Sequence, residues 1–408
     1  MNDVENTLRK TLAQAAGGAP RLSGAAAEEL EKGYRRRRQR SQTLLAAAAV
    51  AVIAGGGVLG LRVGGEQGPP PAAAPLSTPS AAVTTSDGVP EPIGEVWPQA
   101  VHKLPSMDGE GRELYPAVLL DDRTLLLKAW RTWERSEAIY AYDLVDKKLR
   151  KITDLPAPKG TEYFPADFRV SDGQVAWWTA SKDNRMQIWT VPLEGGEPRQ
   201  VAEQKAERDQ GDRFFSPSGF DLANGKITFS VRKGGVFSVP LAGGAVTPVE
   251  GGAGLHLMSW PWAGSPYIPA TPDEAPYTRL VNLETGESSS ALVKEGERMF
   301  ACRVEWCVGT AEDGKAFTRH RNGSQQKEIP AGYQILGRPS QSRFYLRDVW
   351  DEGPGLGLYD VDTGAFADLG IRGEPTTRGE VPRTDHSGRF MTYHIKSGRY
   401  LIDLSKIP

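Results

Sequence analysis

From residue 95 onward, short runs of alternating apolar and polar side chains are separated by turns rich in glycine, asparagine and aspartate, the pattern of half-buried β-strands. One unit recurs. It reads AIYAYDL from Ala138, QIWTVPL from Gln187, GVFSVPL from Gly235, TRLVNLETG from Thr278, LGLYDVDTG from Leu356 and GRYLIDL from Gly398, with a degenerate copy, FTRHRNGS, from Phe317. The starts lie 49, 48, 43, 39, 39 and 42 residues apart. A second turn and strand precedes several copies: SDGQVAWW from Ser171, ANGKITF from Ala223 and DHSGRFMTY from Asp385. Alternating strands repeating at this period are what a four-stranded propeller blade needs. The expected fold is therefore all-β, a propeller of seven four-stranded blades over residues 95–408, with six as the alternative count. A ring must pair its last blade with its first or leave a bare edge. The final repeat ends at 401–404 (LIDL), one strand short, and residues 100–105 (AVHKLP) are expected to supply the missing strand.

The first ninety residues follow another pattern. Residues 43–61 (TLLAAAAVAVIAGGGVLGL) carry no charge, and nineteen helical residues just cover the roughly 30 Å of a hydrocarbon layer. Arg35, Arg36, Arg37, Arg38 and Arg40 precede the segment and Arg62 alone follows closely. That asymmetry places the N-terminus inside and the C-terminal domain outside the membrane. The expected organisation is a basic cytoplasmic segment at 1–42 with short amphipathic helices, a transmembrane helix at 43–61, a Pro/Ala/Ser/Thr-rich linker at 62–94, and the propeller. Gly56 and Gly60 form a GxxxG spacing, which a segment this rich in alanine and glycine produces readily by chance.

With its arginine run and Ala-rich helix, and with IWTVPLEGG, VFSVPLAGG and DHSGRFMTY in the repeats, the chain resembles actinobacterial single-pass membrane proteins that carry an extracytoplasmic WD40-like or TolB-like β-propeller. The Gly-His and Trp-Asp dipeptides of strict WD40 repeats are absent, so the TolB-like variant is the nearer comparison. The resemblance implies a binding or scaffolding role and transfers no catalytic residue.

Net charge is −2 overall, yet the first forty residues hold nine basic and five acidic side chains, and those beyond position 63 hold 39 basic and 46 acidic. A net-acidic outer domain without a basic stripe argues against nucleic acid as its partner. Cys302 and Cys307, the only cysteines, are expected to form a disulfide outside the cell. The five histidines are scattered and suggest no metal, and no cofactor motif is evident. The glycine and lysine spacing at 309–315 resembles a phosphate loop, but Ala316 stands where a hydroxyl must reach the metal, so a hairpin is expected. Asp360, Asp362 and Gly364 are too few for calcium and are expected to form a turn.

No Gly-x-Ser-x-Gly motif and no room for an α/β catalytic domain are present. The expectation is thus a protein that is not an enzyme, with a hydrolase as the weaker alternative. Trp130, Trp133, Trp260 and Trp262 fall where strands meet loops and are the candidate ligand contacts, because an indole offers large area at low entropic cost. Trp177, Trp178 and Trp189 fall inside strands and are expected in the core. The partners expected are the bilayer at 43–61, an extracytoplasmic protein, peptide or cell-envelope glycan at the propeller, and a cytoplasmic protein such as a sigma factor at 1–40 if the chain is a signal transducer.

Overall fold

The computed structural model describes residues 90–132, 135–205, 217–268, 275–330, 343–349, 355–372 and 382–408. The basic segment, the expected helix at 43–61 and most of the linker lie outside them. Among the described residues no helix is long and apolar enough to cross a membrane.

The strands form seven antiparallel sheets, one per blade. Blade 1 is β2 (Glu113–Leu119), β3 (Thr124–Trp130), β4 (Ala138–Asp143) and β5 (Leu149–Asp154); blade 2 is β6 (Thr161–Ser171), β7 (Gln174–Ser181), β8 (Arg185–Pro192) and β9 (Arg199–Lys205). Blade 3 runs β10 (Gly219–Ala223), β11 (Lys226–Ser230), β12 (Val236–Pro240), β13 (Thr247–Pro248). Blade 4 runs β14 (His256–Ser259), β15 (Trp262–Ser265), β16 (Arg279–Asn282), β17 (Ser288–Ser290). Blade 5 runs β18 (Arg298–Cys302), β19 (Trp306–Thr310), β20 (Ala316–His320), β21 (Lys327–Ile329). Blade 6 has three described strands, β22 (Phe344–Val349), β23 (Gly355–Asp360) and β24 (Phe366–Arg372). The recurring unit of the sequence is the third strand of the blade in every complete case, and the two SDG and ANG turns join first strands to second.

Those turns show why the hairpins form there. Asp172 and Gly173, and likewise Asn224 and Gly225, all have positive φ (51°, 68°, 52° and 66°). Two left-handed residues in a two-residue loop match the twist of the flanking strands, and Asp-Gly or Asn-Gly adopts them with least strain.

Blade 7 closes the ring as the chain ends required. Its strands β25 (Arg383–Thr384), β26 (Phe390–Ile395) and β27 (Gly398–Asp403) are completed by β1 (Val101–Leu104), with Val101 opposite Ile402 and Leu104 opposite Arg399. Just before β1, the short helix α1 (Ile93–Val96) drops Ile93 and Trp97 into the core between blades 6 and 7. The backbone of Asp368 on β24 donates to Glu91 O at 2.8 Å. Each seam between successive blades holds its own apolar cluster, and Trp177, Trp178 and Trp189 are buried in those of blade 2 (0, 3 and 9% exposed).

Cys302 and Cys307 face each other across β18 and β19 and are disulfide-bonded, with Cα atoms 4.1 Å apart. Residues 309–315 form the β19–β20 hairpin and 360–364 the β23–β24 turn. In the latter Asp360 is fully buried against Arg343.

Candidate functional site

Residues on or next to the first strands of blades 1 to 5 and 7 line two adjoining cavities of about 550 and 770 Å³, which form a central channel. Residues from six blades line them: Ala117 from β2, Arg169 from β6, Asp221 from β10, Met258 from β14, Glu305 from the β18–β19 turn and Asp385 beyond β25. Ala117, Phe168, Arg169, Thr384, Asp385 and His386 belong to both walls.

Strand β6 explains how two charges reach the axis. Its pairing with β7 slips three times between Thr161 and Arg169, and Asp167 takes φ of +51°. Bulges of this kind bend a strand and re-aim its side chains, and a non-glycine residue in the left-handed region marks a local constraint that the surroundings must hold. Here the indole Nε1 of Trp178 holds it, donating to Asp167 Oδ2 at 2.8 Å.

Two other channel carboxylates, Asp221 and Asp385, are also engaged locally. Asp221 accepts from Leu222 N (2.9 Å) and Trp260 N (2.8 Å). Asp385 accepts from Phe390 N (3.0 Å) and from the backbone and hydroxyl of Ser387. Arg169 is treated differently. Its side chain is 14% exposed, one guanidinium nitrogen donates to the carbonyl of Phe168 at 2.9 Å, and Nε lies 3.9 Å from Asp221 Oδ1. Nε is shielded and has no hydrogen-bond partner. Burial pushes the Arg169 pKa down, and the negative charges of Asp167, Asp221 and Asp385 oppose that shift.

One wall of the smaller cavity is a ladder of cations and rings. The Arg399 guanidinium lies 3.6 Å from the Tyr115 ring centre, Tyr115 packs on Trp130 at 4.1 Å, and Lys128 sits 4.8 Å over Trp130. Cations over aromatic faces are attracted by the ring quadrupole. Burial, then the 2.5 Å hydrogen bond from Tyr115 to Glu113, raises the Tyr115 pKa. Arg399 spans the seam by donating to Leu114 O.

Of the candidate tryptophans, Trp130 lines this cavity but is only 6% exposed. Trp260 is partly buried, with Nε1 donating to Glu284 at 3.0 Å, and it meets the channel only through its backbone contact with Asp221. Trp262 opens β15, partly buried, and lines neither cavity. Trp133 and Arg35 to Arg40 lie outside the described residues. Of the three described indoles only Trp130 lines these cavities, whereas Arg169, Tyr115 and Arg399, which the sequence did not single out, converge on the channel. A signal was present in DFRVSDG at 167–173: a strand running into an Asp-Gly turn, with Asp167 and Arg169 alternating with Phe168 and Val170. Among the described residues no three His, Cys, Asp or Glu side chains converge in a metal-ligating group.

No protein-family model matches the chain, and no curated protein matches its sequence. Solved structures similar to it in shape include an oligogalacturonate lyase from Vibrio parahaemolyticus (12% identity, 75% of this chain and 91% of that one, TM-score 0.44). Another is the β-propeller domain of the Trilobed protease from Pyrococcus furiosus (13% identity, 72% and 96%, TM-score 0.43). YCF48 from Cyanidioschyzon merolae is a third (10% identity, 74% and 98%, TM-score 0.42).

Proposed function

We infer that this protein is a binding module and not an enzyme: a propeller of TolB-like type, held on the outer face of a membrane by residues 43–61 and the tether 62–94. It takes a segment of an extracytoplasmic protein or peptide into the channel of its ring. The observation that carries this reading is the channel itself, walled by six blades, with Asp167, Asp221 and Asp385 each tied to backbone or indole donors. These bonds fix the carboxylates as parts of the channel wall. We take a peptide as the ligand because charged side chains from several blades line the channel; Trp130 is 6% exposed, and the tyrosine and tryptophan rings with open area there are those of Tyr115 and Trp306, both partly buried.

A second reading makes the chain a transducer whose residues 1–40 hold a cytoplasmic regulator such as a sigma factor. It is favoured by the way the tether ends inside the ring, with Glu91 bonded to blade 6 and Ile93 and Trp97 buried beside it.

Protease shaving of intact cells tests the topology and should remove the propeller while sparing residues 1–40. A pull-down from membranes with the full-length protein beside a chain lacking residues 1–40 separates the readings. Partners retained by both chains support the propeller as the binding element. A cytoplasmic partner lost only on truncation supports the transducer.

A further inference from the structure

We propose that Arg169 is the receptor for a carboxylate of the bound polypeptide, so that the channel selects acidic segments; this rests on the binding reading above. Arg169 sits where the two cavities meet, its side chain is 14% exposed, and Nε has no hydrogen-bond partner. A buried donor without an acceptor is costly, and native interiors rarely leave one. The neighbouring acids do not relieve it. Asp221 stands 3.9 Å from Nε, beyond a hydrogen bond, with both of its oxygens engaged by backbone N–H groups, and Asp167 and Asp385 are engaged by Trp178, Phe390 and Ser387.

A carboxylate arriving from either cavity meets the accessible edge of the guanidinium, and a turn of the side chain that brings the shielded Nε to it completes a two-pronged, charge-assisted pair, the geometry for which arginine is suited. The three fixed acids then act as a filter. They keep the channel from attracting anions indiscriminately and leave only a carboxylate that can reach Arg169 directly with a net gain.

The test uses the full chain in detergent micelles and three probes: fluorescein-labelled hexaglutamate, labelled hexaglutamine, and a hexuronate trisaccharide. Hexaglutamate should bind at least about tenfold more tightly than hexaglutamine. Arg169→Gln should weaken hexaglutamate binding about tenfold to a hundredfold, and Arg169→Lys, which keeps the charge but loses the fork, should fall between. Asp221→Asn, which removes the competing charge and keeps one of the two acceptors used by Leu222 N and Trp260 N, should tighten it severalfold. Arg150→Gln, on the outer strand β5 where Arg150 caps the carbonyls of Leu193 and Glu194, should leave it unchanged.

Equal binding of hexaglutamate and hexaglutamine, unchanged affinity in folded Arg169 variants, or preference for the uronate overturns the proposal. If Arg169→Gln does not fold, Asp221→Asn and the probe comparison still decide it. Membrane partners that the full chain captures and that excess hexaglutamate does not displace leave the binding reading standing while this one fails. Absence of both capture and probe binding removes both.

Discussion

The seams between blades 6 and 7, 7 and 1, 1 and 2, and 2 and 3 each bury between ten and sixteen apolar residues, whereas the three between blades 3 and 6 bury three to five among the described residues. Polar staples cross thick seams as well, as Arg399 and Arg150 do, but in the thin seams they carry a larger share of the contact. Between blades 3 and 4, Ser218 bridges Ser230 and His256 Nδ1, both at 2.8 Å. Between blades 4 and 5, Arg321 is 4% exposed and donates to the carbonyls of Tyr277, Thr278, Ser289 and Arg303; burial lowers its pKa to about 10. Within blade 5, Arg319 holds Glu297 through two bonds of 2.6 and 2.7 Å, and the disulfide ties the first strand to the second. A packed apolar seam tolerates shape changes of similar volume, while a stapled one depends on a few directional bonds that fail completely when one partner is removed.

The thick seams should yield most to a cavity. Trp177 is fully buried between blades 1 and 2, so Trp177→Ala is expected to cost about 3–5 kcal/mol in urea titrations of the full chain. Trp177→Phe should cost far less, since the indole nitrogen has no partner to lose. In the thin half, Arg319→Met leaves the Glu297 carboxylate, 7% exposed, without its cation. The expected loss is about 3 kcal/mol, with amide exchange rising in blade 5 and not in blade 2. Reducing the disulfide, which closes a loop of sequence separation 5, should remove about 2 kcal/mol on chain-entropy grounds.

The smallest effect expected is on pH. Burial lowers the His256 pKa, so the unfolded chain takes up a proton that the folded chain refuses. Its contribution is complete above the unfolded value near 6.5 and is lost as pH falls below it. Melting temperature should drop on acidification, and His256→Gln should flatten that slope. An unchanged slope would remove His256 from the explanation.

The same division explains what the sequence disclosed. The repeats AIYAYDL, IWTVPL and LGLYDV lie in blades 1, 2 and 6, each of which borders at least one thick seam, and these third strands are apolar enough to be buried almost along their whole length. The copy FTRHRNGS looks degenerate because its Arg319 and Arg321 replace apolar packing with staples. Closure by residues 101–104 was legible from the missing strand at the C-terminus, and the disulfide from the only two cysteines. The channel was not: Ala117, Arg169, Asp221, Glu305 and Asp385 come from five different blades, and no local pattern records that they meet.

The most direct measurement repeats the membrane pull-down with Ala117→Trp in the full chain, since Ala117 is the bulged residue of β2 and lines both cavities. If the channel takes the ligand, the indole fills it and partners captured by the unaltered chain are lost while the melting curve is kept. Retention of the same partners by the folded Ala117→Trp chain would contradict the channel as the binding site and move the function to another face of the ring or to residues 1–40.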